Sequence, residues 1–175
     1  MENYYEHLLA PDGNHEFVNY IISMLDDLNY GLVRIKINGK KVTNIQIMAE
    51  NNQHTLSFED CEILNEVIID YLEKNGKLFV DYSLEISSPG IERPLTREKD
   101  FNTWSNNFVQ IKLNSDKDFP KKFNAKLLGF SENKIKIFIE NEKDLSGEYN
   151  LDPLMIKEVI LSWVEKDPPK PNLIS

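Results

Sequence analysis

"YSLEISSPGIERPL", residues Tyr82 to Leu95, changes character in its middle. Tyr82 to Ser87 alternates like a half-buried strand. Ser88-Pro89-Gly90 then breaks the pattern, an acid–base pair follows at Glu92-Arg93, and Pro94 closes it. Two prolines and a glycine so close together exclude a core strand and a helix interior. Proline lacks the N–H both require and holds φ near −65°, while glycine readily takes positive φ. Pro94 also biases Arg93 towards extended backbone. Ser87 and Ser88 offer hydroxyls to turn backbone. The stretch reads as a stiff exit from one module into another.

On its N-terminal side the pattern is helix, hairpin, helix, strand. His15 to Tyr30 carries Phe17, Val18, Ile21, Ile22, Leu25 and Leu28 at helical spacing, with Gly31 as the expected left-handed cap. "LVRIKI" sets Leu32, Arg34 and Lys36 against Val33, Ile35 and Ile37. Asn38-Gly39 signals a two-residue type I′ turn into "VTNIQIMA". Ser57-Phe58-Glu59-Asp60 approximates a capping box, with aspartate for the usual Glu or Gln. Leu64, Val67, Ile68, Tyr71 and Leu72 form the inner face of that second helix, and Lys74-Asn75-Gly76 ends it. "FVDYSLEIS" is the third strand. This is a small α/β unit with helices on one face of a sheet.

On the C-terminal side, Arg97 to Ser105 reads as a short helix. "FVQIKL", "FNAKLLGF", "KIKIFIE", "GEYNL" and "IKEVILSW" are then short alternating runs between polar turns. Such spacing predicts a compact all-β unit, a small barrel of about five strands. The expected organisation is an α+β chain: an N-terminal segment 1–14, an α/β domain 15–88, a junction 89–96, a barrel domain 97–164 and a flexible proline-rich tail 165–175.

Charge divides along the same line. The net charge of −9 over 175 residues comes wholly from Met1 to Ser88, with 15 acids against 6 bases; Pro89 to Ser175 has 14 of each. An acidic first half suits a basic protein partner better than a phosphate backbone. No apolar run reaches membrane-spanning length, the acidic start does not read as a secretory signal, and the single Cys61 cannot form an internal disulfide. The reading is a cytoplasmic protein with no membrane partner.

No catalytic, cofactor or metal site can be named. His7, His15 and His54 lack metal-ligand spacing, and His7 and His54 read as solvated surface residues. Cys61, one turn into a helix, reads as structural rather than as a nucleophile. Lys117, Lys121, Lys122 and Lys126, with Phe119 and Phe123 nearby, form either a solvated loop or an RNA contact; Asp116 and Asp118 interrupt them.

"LEISSPGIERPL" closely resembles the signature of the RimP-type bacterial ribosome maturation factors: a strand, SSPG, an apolar residue, an acid and RPL. "FEDCEILNEVI" is similar to the acid-Cys opening of that family's second helix, and "LNYGLVRIKI" to its first helix end and first strand. The resemblance runs from about His15 to about Trp163. It departs at "MAENNQHTLS", where the family has an aspartate and a glycine-containing loop.

The resemblance implies a non-enzymatic two-domain factor whose second domain is an Sm-like or SH3-like barrel. It implies binding, as a monomer, to the free small ribosomal subunit during late assembly. The contacts would be rRNA and a basic ribosomal protein near the decoding centre. The alternative is a general Sm-like RNA-binding module. Candidate partner-binding and junction residues are Ser87, Ser88, Pro89, Gly90, Glu92, Arg93, Pro94 and Asp60. For Arg93 two roles stand: a turn-locking or interdomain ion pair with Glu92, or a planar donor to rRNA phosphate or a partner carboxylate.

Overall fold

The computed structural model describes residues 3–12, 15–75, 79–114, 117–140, 145–162 and 170–172. By its contacts the chain forms two units, Leu9–Pro89, and Met1–Leu8 with Gly90–Ser175. It is an α+β protein.

The first unit contains α2 (His15–Asp27), β1 (Gly31–Asn38), β2 (Thr43–Glu50), α3 (Phe58–Lys74) and β3 (Tyr82–Ser87); α1 (Glu6–Leu9) precedes them. Its sheet has the order β1-β2-β3, antiparallel then parallel. α2 packs on β1 and α3 on β3. Ile45, Ile47 and Ala49 of β2 are buried while Asn44 and Gln46 face solvent, so one sheet face carries the core. Phe17 and Tyr20 of α2 stack on Tyr71 of α3, which ties the two helices together.

Three local expectations are corrected. α2 ends on Asn29, at φ 63°, not on Gly31. The Tyr30 N–H reaches back to the Leu25 carbonyl at 2.8 Å, the Schellman pattern. Asparagine is among the few residues that accept this left-handed geometry, so Gly31 is free to begin β1. The β1–β2 turn is not a two-residue type I′ turn: Asn38 pairs with Asn44, and the loop runs through Lys40 and Lys41. Gly39 sits at φ 118°, where an added Cβ would lie 2.0 Å from the Val42 carbonyl oxygen. Finally, β1 does not alternate evenly. A bulge at Val33 brings Leu32, opposite Ala49, onto the face of Ile35 and Ile37, opposite Ile47 and Ile45.

The second helix follows its reading closely. Ser57 Oγ accepts from the Asp60 N–H at 3.1 Å, and the Asp60 carboxylate accepts from the Ser57 N–H at 2.8 Å. This completes the capping box with aspartate. At the far end Asn75 caps, its N–H reaching the Tyr71 carbonyl at 3.0 Å; Gly76 lies outside the described residues.

The second unit contains α4 (Glu98–Thr103) and five strands: β4 (Phe108–Leu113), β5 (Lys122–Ser131), β6 (Lys134–Ile139), β7 (Gly147–Leu151) and β8 (Ile156–Leu161). All pairs are antiparallel, in the order β7-β6-β5-β4-β8. β7 and β8 are not paired among the described residues, so the expected barrel takes the form of an open sheet. The β8 edge is taken instead by the chain leaving the first unit. The Leu95 N–H donates to the Val159 carbonyl at 2.9 Å, and the Leu161 N–H to the Arg93 carbonyl at 2.8 Å. Covering an edge in this way satisfies its orphan amides. The inward positions Val109, Ile111, Ala125, Leu127, Ile135, Ile137 and Val159 form one core with Phe101 and Trp104.

Residues 3–8 add to this unit. Tyr4 pairs with Arg97, the Tyr5 N–H donates to the Thr96 carbonyl, and Leu8 enters the core. Of the tail, residues 170–172 lie against the end of α4. Asn107 Nδ2 donates to the Lys170 carbonyl at 2.8 Å, and the Lys170 N–H returns to Asn107 Oδ1 at 3.1 Å. The rest of the tail, and Trp163, lie outside the described residues.

Candidate functional site

Beyond β3 the chain turns sharply from exposed to buried. Ser87 is half-buried and pairs with Met48, Ser88 is exposed and Pro89 is buried. Gly90 is exposed at φ 68°, with open space where a Cβ would stand. The requirement for glycine there is therefore conformational rather than steric. Ile91 and Glu92 are exposed, and Arg93, Pro94 and Leu95 are all buried. Pro94 bridges Ile160 on β8, a position that asks no N–H of it.

The buried partner of Arg93 is Asp100, not the exposed Glu92. Asp100 is 1% exposed and collects donors from a single turn. Arg97 Nη2 lies 2.6 Å from Oδ1 and Arg97 Nε 3.0 Å from the same oxygen. The backbone N–H groups of Thr96 and Arg97 each reach Oδ2 at 3.0 Å, and Arg93 Nη2 reaches Oδ1 at 3.4 Å. Burial pushes the Asp100 carboxyl up, but the Arg97 and Arg93 charges and the amides hold it below its ordinary range. The Arg93 guanidinium also sits over the Trp104 ring, 5.1 Å from its centroid. The ion pair that Arg93 makes is thus with Asp100 rather than with Glu92. At 2% exposure its donors are directed into the fold.

Sequence reasoning missed Arg97 and Asp100 as members of this cluster. The signal was present: an acid three residues after an extended residue at a helix start is where a carboxylate meets the cap N–H. A hydrophilic pair at a surface-looking helix start gave no reason to bury it.

Asp60 occupies a different place, at the start of α3 in the first unit. Besides closing the capping box it accepts from the Tyr30 hydroxyl at 2.5 Å. That bond, followed by those from Ser57, lowers its pKa. It pins the end of α2 to the beginning of α3. Beside it Cys61 is half-buried, and burial followed by the Asp60 charge pushes its thiol up, away from a reactive thiolate. Along its length α3 exposes Glu59, Glu62, Glu66, Asp70 and Glu73.

Neither His7 nor His54 is simply solvated. His7 Nε2 lies 3.1 Å from the Pro153 carbonyl, and His54 Nδ1 lies 3.1 Å from Glu50 Oε2. The loop that departs from the family pattern is held by Asn51. Its Oδ1 accepts from the Gln53 and Thr55 N–H groups, and His54 takes φ 60° in a loop without glycine. The lysine group is split. Lys117, Lys121 and Lys122 are exposed and Lys126 is half-buried, while Phe119, itself half-buried, packs against Phe123 and Tyr149. Asp116 lies outside the described residues.

Among the described residues no helix is long and apolar enough to cross a membrane, and no group of three or more His, Cys, Asp or Glu is placed to hold a metal ion.

Residues 20–92 match the family model of the RimP N-terminal domain. The matched span begins in α2, takes in the whole first sheet and ends at Glu92, within the junction stretch. This stretch therefore belongs to the RimP N-terminal domain family.

Proposed function

We propose that this protein binds the free small ribosomal subunit in the bacterial cytoplasm and assists its late assembly, without catalysing a reaction. The observation that carries the reading is the RimP N-terminal match over residues 20–92, which includes the rigid SSPG stretch. The partners in this reading are rRNA and a basic ribosomal protein near the decoding centre. The acidic face of α3 complements the latter, an attraction that speeds encounter and weakens with salt. The second unit acts as an Sm-like module. Its strand order, with the last strand beside the first, supports that assignment. The junction residues Ser87, Ser88, Pro89, Gly90 and Pro94 set the path between the units, and Arg93 anchors that path inside the second.

Sucrose-gradient sedimentation of a lysate carrying the tagged protein, at low and moderate salt, tests the reading. Co-migration with free small subunits and near absence from polysomes is expected. Migration only as free protein at both salts, in cells actively building ribosomes, would refute it.

A further inference from the structure

The zero net charge of the second half conceals a segregation that only strand register exposes. The outward positions of β4, β5 and β6 carry five lysines, Lys112, Lys122, Lys126, Lys134 and Lys136, and no acid. The acids lie towards the margins. Glu158 on β8 pairs with Lys112, and Asp152 at the end of β7 pairs with Lys134 at 2.7 Å. Glu148 on the edge strand β7 stands opposite Phe138. Lys122, Lys126 and Lys136 remain without an ion pair among the described residues.

Aromatic rings interleave with these lysines. Phe108 on β4, Lys126 on β5 and Phe138 on β6 are direct cross-strand neighbours in one row. Both rings are half-buried, and neither is a member of the buried core cluster. One strand lies between them, so the two rings stand roughly 10 Å apart. A bulge between Leu127 and Gly129 adds Leu128 to the same face, 37% exposed. Solvated strands are ordinarily polar on the outward side, and two phenylalanines flanking a lysine are not needed to fold the sheet.

We propose that the outward face of β4, β5 and β6 binds single-stranded RNA. Phe108 and Phe138 serve as platforms for two unstacked bases, and Lys122, Lys126 and Lys136 meet the phosphates between and beside them. Charge complementarity selects a polyanion, and the two rings select one that also presents flat π-faces. An acidic peptide would satisfy the lysines alone. The setting, unpaired rRNA, rests on the reading above; the surface itself stands on register and exposure.

The test is fluorescence anisotropy of the full-length protein with a fluorescein-labelled twelve-nucleotide oligouridine, over a salt series, with polyglutamate as competitor. Salt-dependent binding is expected. Phe108→Leu and Phe138→Leu should each weaken it by about tenfold. Lys126→Gln with Lys136→Gln should lower the salt slope by roughly 0.7 for each lost contact. These lysines are outward-facing, so the lysine variant remains informative if a phenylalanine variant unfolds by circular dichroism. No binding by the wild type, or unchanged affinity and salt slope in the folded variants, would overturn the proposal. Equal competition by polyglutamate would overturn it in favour of an acidic protein partner. Sedimentation of the same variants separates the two readings. Retained co-migration with small subunits alongside failed oligouridine binding ends the RNA-face inference and leaves the maturation reading standing.

Discussion

At the scale of single residues, Asp100 does the most. It holds two arginines and two backbone amides in a space closed to water. A buried carboxylate in that position is costly alone and is offset only because every lone pair is used. Replacing Asp100 by Asn leaves Arg97, 0% exposed, with a neutral partner, and should destabilise the second unit by about 3 kcal/mol or more in urea unfolding. The same residue predicts an acid response. Its folded pKa is depressed, so its stabilisation is present above the unfolded value of 3.8 and is lost as pH falls through the lower folded value. Stability measured from pH 7 downward should therefore drop below about pH 4, and Asp100→Asn should flatten that part of the curve. Arg93 and Arg97 were plain in the sequence as charges. Their burial was not, because it depends on an acid brought round by one helical turn and on Trp104 beneath.

At the scale of elements, local chemistry and local structure agree best where a side chain acts on its own neighbours. The capping box at Ser57 and Asp60 needs four consecutive residues, and α3 starts where they say it does. Ser57→Ala should lower stability by about 1 kcal/mol, read as a shift in the urea midpoint without a change in slope. The strands behave similarly. "FVQIKL" and "GEYNL" coincide with β4 and β7 residue for residue, because alternation over five or six positions is already a statement about two faces. The hairpin and the bulge were harder. Asn38-Gly39 favours a tight turn, but pairing Ile37 with Ile45 and Ile35 with Ile47 buries the right faces only with a longer loop. Register across the sheet prevailed over turn preference.

At the scale of the whole molecule, the chain is not divided at one point. Residues 3–8 fold with residues 90 onward, although a whole unit separates them in sequence. Tyr5 and Leu8 pack on the second core, and Tyr5, with its hydroxyl pKa raised to about 12 by burial and the Glu98 carboxylate, faces that acid at 3.4 Å. Removing residues 1–8 should therefore lower the melting point of the second unit. Both tryptophans, Trp104 and Trp163, fall in residues 90–175, so selectively excited tryptophan fluorescence reports that unit rather than the first, whose fluorophores are tyrosines. An unchanged fluorescence-detected transition would count against the packing described. The sequence by itself determined α2, α3, α4, the strands of the described residues, the inward faces of all of them but β1, and the break after Ser87, since each follows from periodicity, caps or prolines acting within a few residues. Only the tertiary structure decided that residues 3–8 join the second unit, that Arg93 pairs with Asp100, and that lysines from three strands share one face with Phe108 and Phe138. These depend on which distant segments pair and in what register, and no local free-energy preference carries that information.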